Sequence, residues 1–97
     1  MNPDAAATIT VDGVGKLCVT LLLELRRHLA AAPPGTLVRV IADDPAAPLD
    51  LPAWCHLTGH GYLGVLDHEA GIPVYGLRVA AGPAVTDLAS PWRIAGR

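Results

Sequence analysis

Phenylalanine is absent from this 97-residue chain, and two tryptophans and two tyrosines supply all of its aromatic rings. Its core therefore has to be aliphatic, built from Leu, Val, Ile and Ala. Charge is scarce as well: Lys, Arg, Asp and Glu make up 16% of the residues against 52% hydrophobic, a balance that excludes wholesale disorder. Neither sign dominates. A formal net charge of −2 leaves no basic field to neutralise phosphates, so direct nucleic-acid binding is not expected, and the Arg26–Arg27 pair is too small to change that. Long apolar runs are missing. The most apolar stretch, Leu17 to Leu25, contains Glu24 and falls far short of the roughly 20 residues of a membrane span. Met1 to Thr8 carry neither a basic nor an apolar segment, so no export signal is expected and the cytoplasm is the default location. Thiols stay reduced there. Cys18 and Cys55 are accordingly expected as separate thiols, not as a disulfide.

The pattern that is present has one domain's worth of elements. Thr8-Ile9-Thr10-Val11 alternates and is β-branched, which predicts a strand. Asp12-Gly13-Val14-Gly15 is a turn signal. Leu21, Leu22, Leu25 and Leu29 then recur at helical spacing, with Glu24, Arg26, Arg27 and His28 on the other face, until Pro33-Pro34-Gly35 ends the helix. Leu37 to Ala42 predicts a second strand, and Asp43-Asp44-Pro45 opens a loop. Asp50 is expected to cap a second helix with Pro52 in its first turn, since Leu51, Trp54, Cys55 and Thr58 form one stripe and Gly59 and Gly61 follow. Tyr62 to Leu66 predicts a third strand, His68 to Gly71 a turn, and Ile72 to Val79 a fourth strand in which Pro73 favours an edge or a strand end. The order is βαβαββ: an α/β two-layer sandwich, with a mixed four-stranded sheet and both helices on one face. Residues 1–80 are expected to form this domain, and residues 81–97, rich in Gly, Pro, Ala and Ser, a C-terminal tail.

Several segments in register resemble one family. Asp12-Gly13-Val14-Gly15-Lys16-Leu17-Cys18 is similar to the opening of the TusA/SirA sulfur carriers, where an acidic residue and a Gly precede the active cysteine. Pro34-Gly35-Thr36-Leu37-Val38-Arg39-Val40 follows, then Ala42-Asp43-Asp44-Pro45-Ala46-Ala47, Asp50-Leu51-Pro52-Ala53-Trp54-Cys55 and Thr58-Gly59-His60. The resemblance implies the same sandwich, with Cys18 as the site residue. It also implies a sulfur relay: the thiolate takes sulfane sulfur from a donor persulfide and passes it to an acceptor, with no cofactor. The implied partners are a sulfur-donor protein, such as a cysteine desulfurase or rhodanese, and a sulfur-acceptor protein. One departure stands at the motif itself. The family's Cys-Pro-x-Pro reads Cys18-Val19-Thr20-Leu21, without either proline. That substitution supports an alternative, a catalytically silent binding or regulatory module.

Taken residue by residue, Cys18 sits where a turn meets a helix. Unpaired N–H groups there, and Lys16 two residues earlier, are expected to favour the thiolate. The competing reading makes Cys18 a small member of the leucine stripe. Cys55 reads as a buried core thiol; a redox pair with Cys18 would be a third function. His56 and His60 have a zinc-like spacing without a third ligand, so no metal site is expected; His60 either polarises a neighbour or is solvated. Asp43 and Asp44 read as turn formers ahead of paired acid–base carboxylates, and Asp12 as an acceptor within its own turn. The Gly13–Gly15 pair is no phosphate loop, since Cys18 stands where the third Gly of GxGxxG belongs.

Overall fold

A computed structural model describes residues 7–81. The chain runs β1 (Thr8–Asp12), α1 (Cys18–Ala31), β2 (Leu37–Ile41), α2 (Ala47–Thr58), β3 (Gly61–Glu69) and β4 (Ile72–Arg78). This is the βαβαββ order and the mixed sheet the pattern predicts. The sheet order is β1-β2-β4-β3, with β1 and β2 parallel and the two remaining pairs antiparallel. The expected tail, beyond Ala81, lies outside the described residues.

Alternation decides which strand residues meet the helices. Val11, Val38, Val40, Tyr75 and Leu77 point to one side and join a single core with Leu21, Leu22, Leu25 and Leu29 of α1 and Ala47, Leu51, Trp54 and Cys55 of α2. On the other side Arg39 reaches Glu69 at 3.4 Å. The absence of Phe is met as expected, by a leucine and valine core with Trp54 as its largest fully buried side chain. Two cross-strand pairs at the centre, Val38 with Leu77 and Val40 with Tyr75, fix the register, since a slip by one residue would turn each of them outward.

Two boundaries shift by about a turn or more from the sequence reading. α2 begins at Ala47, one turn before Asp50, so Pro48 takes the early helical position and Pro52 lies inside the helix. Asp50 is thus a first-turn residue and not the cap. β3 continues to Glu69 through two register shifts, which leaves only Ala70 and Gly71 as the turn. β4 is an interior strand. Pro73 is accommodated there as a strand end, beyond the last β2–β4 partners, Ile41 and Val74.

Candidate functional site

Cys18 is the first residue of α1, and the two loops around it are tied together by side chains that come from 26 and 28 residues away. The first loop is built on a close approach. Gly13 donates its N–H to the Ile41 carbonyl at 2.7 Å, and a Cβ on Gly13 would lie 2.8 Å from the Leu21 side chain and 2.9 Å from that same carbonyl. No other residue fits between β2 and α1 without displacing one of them. Asp12 accepts the Val14 N–H at 3.0 Å, the in-turn bond expected of it.

The second loop supplies the clamp. Asp43 Oδ1 accepts the Gly15 N–H at 3.0 Å. Asp44 divides its carboxylate: Oδ1 accepts the Ala46 N–H at 2.7 Å, and Oδ2 accepts the Cys18 N–H at 2.8 Å. The Ala46 bond is the turn-forming role expected of Asp44. The Cys18 bond caps α1, whose own cap position, Leu17, contributes no side-chain bond. One carboxylate therefore holds the starts of both helices.

This geometry reverses the expected electrostatics at Cys18. The N–H that was to favour a thiolate is already taken by a carboxylate. Lys16 is drawn away, with its ammonium 2.7 and 2.9 Å from the two Glu24 oxygens. Cys18 itself is 3% exposed. Burial pushes its thiol up from 9.0 to about 12, helped by the negative charges of Asp50 and Asp44. At neutral pH the thiol is therefore held protonated. The cysteine is nonetheless only one layer down. Its neighbour Leu17 is 73% exposed, Val19 and Val14 are exposed, and Leu49, next to Asp50, is 75% exposed. Exposed apolar side chains thus flank the buried, protonated Cys18 along the chain, at Leu17 and Val19.

Cys55 lies where the stripe places it, in the core beside Leu51 and Trp54, and burial alone pushes its thiol to about 12. His56 is exposed on α2, whereas His60 lies past the left-handed Gly59 that ends the helix. His60 is buried, stacked on Trp54 with ring centroids 5.8 Å apart, and its Nδ1 accepts the Ala80 N–H at 3.0 Å. That is a positioned residue, not a solvated one, and burial lowers its pKa. Among the described residues no group of three His, Cys, Asp or Glu is arranged to hold a metal. No helix among them is long and apolar enough to cross a membrane. The charge of Asp50 near Cys18 is what sequence reasoning missed; its place at a helix start suggested a cap, and only the fold adds its charge to that of Asp44 on the thiol.

The comparisons with known proteins cover this whole frame. Residues 9–77 match the family described as Sulfurtransferase TusA. The chain is 35% identical over 72 residues to the sulfur carrier protein TusA of Pseudomonas entomophila (strain L48), covering 74% of this chain and 89% of that one. It is 34% identical over 80 residues to the protein of the same name from Pseudomonas putida (strain W619), covering 82% and 94%. A putative sulfur carrier protein, YrkF of Bacillus subtilis (strain 168), is 33% identical over 58 residues, which are 60% of this chain and 31% of that protein.

Proposed function

This chain belongs to the TusA family of sulfur carriers, and from that premise we propose that Cys18 is its carrier residue. Cys18 accepts sulfane sulfur from a donor protein, holds it as a persulfide, and relays it to an acceptor protein, with the cytoplasm as the site of action. In the loading step the Cys18 sulfur bonds to the outer sulfur of a donor persulfide, R–S–S–H. The S–S bond of the donor breaks, R–S⁻ leaves, and the Cys18 proton ends on that leaving group. The products are Cys18–S–S–H and R–S–H, with no net oxidation. The observation that carries this reading is the placement of Cys18 at the α1 start, between the exposed Leu17 and Val19 and inside the matched residues 9–77.

One observation favours a second reading, the silent module: the thiol is held protonated by burial and two carboxylates. A single experiment separates the two. Intact-protein mass spectrometry after incubation with a cysteine desulfurase and cysteine should show one added sulfur in the wild type and none in Cys18→Ser. No adduct in the wild type, or an unchanged adduct in the variant, leaves the silent module as the account.

A further inference from the structure

The sheet has two edge strands, and they are not equivalent. β3 is guarded against pairing with another chain. Two register shifts interrupt its ladder, Gly64 has a left-handed φ of 84°, and Asp67, His68 and Glu69 stand exposed along its end. β1 carries none of these devices. Its five residues run in unbroken register with β2, without Pro, Lys or a bulge, and its one charge, Asp12, is turned onto the Val14 N–H. α1 leaves a channel along the same flank. A cavity of about 500 Å³ lies between Ile9 of β1 and Arg27, His28 and Ala31 of α1. A second, of about 260 Å³, continues along the helix past Thr20, Leu23 and Glu24, and Arg27 lines both. Arg27 is exposed and has no ion-pair partner among the described residues, while the Glu24 carboxylate, one turn before it, is partly exposed beside Lys16.

We infer that this flank binds a second copy of the chain, β1 against β1 in antiparallel register about Thr10, so that two sheets become one. The pattern of β1 selects that register. Residues directly opposite each other in an antiparallel pair lie on one face. Centring on Thr10 sets Ile9 of each copy opposite Val11 of the other on the helix side, and the two exposed Thr10 side chains opposite each other on the open side. A slip by one residue would set Ile9 against Thr10 and turn the helices of the second copy to the other face. In the centred register the two α1 helices lie antiparallel, about two strand spacings or roughly 10 Å apart, which is a helix-packing distance. Arg27 of each copy then faces Glu24 of the other, and the charge left alone in one copy is complemented in two. Cys18, at the start of α1, lies away from the two-fold axis, so the pair leaves both thiols at its outer ends.

Sedimentation equilibrium of the full chain, from micromolar to millimolar concentration, tests the pairing. The expected result is a reversible dimer of twice 10.1 kDa. Thr10→Lys sets two ammonium groups against each other at the two-fold axis, and Arg27→Glu sets carboxylate against carboxylate along α1. Each should raise the dimer dissociation constant by at least about tenfold, with the circular dichroism unchanged. Adding Glu24→Arg to Arg27→Glu reverses both charges and should recover most of the affinity, a rescue that a merely structural role would not give. A wild type that stays at 10.1 kDa throughout overturns the proposal. A dimer that neither Thr10→Lys nor Arg27→Glu weakens uses another face and overturns it equally. A monomeric wild type whose Arg27→Glu variant melts at lower temperature would give the flank to residues of the same chain, and overturns it as well.

Discussion

Cys18 and Cys55 are buried almost equally, at 3% and 1% exposure, and both thiols are pushed up to about 12. Their surroundings differ in kind. Cys55 has an indole and leucines around it, and desolvation is the whole cause of its shift. Cys18 has desolvation first and then Asp50 and Asp44, on a helix end whose neighbours Leu17 and Val19 face solvent. The comparison teaches that two thiols at equal depth can differ in their electrostatic surroundings. What separates them is charge: hydrocarbon alone raises the Cys55 thiol, whereas two carboxylates add to the burial at Cys18.

The largest effect should come from forcing the family's second proline into α1. Leu21 is fully buried and donates its N–H to the Leu17 carbonyl at 3.0 Å. Leu21→Pro loses that bond and a core side chain together, which costs more than about 5 kcal/mol and should unfold the domain, as circular dichroism would show. Val19→Pro, at an exposed position whose N–H has no intrahelical partner, should leave the fold intact. A folded Leu21→Pro protein would mean that α1 packs less tightly beside Cys18 than the structure shows.

Alkaline pH should act next. Each thiol gives up its proton near 9.0 in the unfolded chain and near 12 in the folded one. Between those values the unfolded state binds fewer protons, so stability is full below about pH 9 and falls as pH rises, by up to about 1.4 kcal/mol per pH unit for each thiol. Urea midpoints measured upward from neutral pH should show the decline. Cys18→Ala and Cys55→Ala should each remove part of the slope, and a slope untouched by both would contradict the burial of the thiols.

Asp44→Ala should cost about 1 to 2 kcal/mol, because it uncaps α1 and frees the Ala46 N–H, and Asp44→Asn should recover most of that in thermal melts. Both variants should lower the apparent pKa of Cys18 and leave that of Cys55 where it is, since Asp44 acts on Cys18 alone of the two. The smallest effect is expected at the other cysteine. Cys55→Ala should cost about 1 kcal/mol and leave the alkylation rate of Cys18 unchanged. A change at Cys18 would show that the two thiols are coupled through the core.

The sequence made the frame of this site legible and its electrostatics illegible, for one physical reason. Strands and helices announce themselves through spacing within a few residues, so the Thr8–Val11 alternation and the Leu21, Leu22, Leu25 and Leu29 stripe are found where they were expected. Cys18 at a helix start was legible in the same way. The clamp was not. Asp43 and Asp44 act on Gly15 and Cys18 across 28 and 26 residues, a contact that exists only once β1 and β2 pair and bring their following loops side by side. Asp50 was visible as a helix-start acid, and Pro52 suggested that the helix began there. The true start at Ala47 turns Asp50 from a cap into a first-turn acid whose charge adds to the raised pKa of Cys18. A helix N-terminus taken alone argues for a thiolate. The carboxylates that the fold imports there argue against it, and they win.

The most direct test reads both cysteines in one sample. Wild-type protein is incubated with a cysteine desulfurase and cysteine, digested, and the sulfur occupancy of the Cys18 and Cys55 peptides is compared by mass spectrometry. The account predicts added sulfur on the Cys18 peptide and none on the Cys55 peptide. Equal occupancy, or sulfur on Cys55 alone, would contradict it.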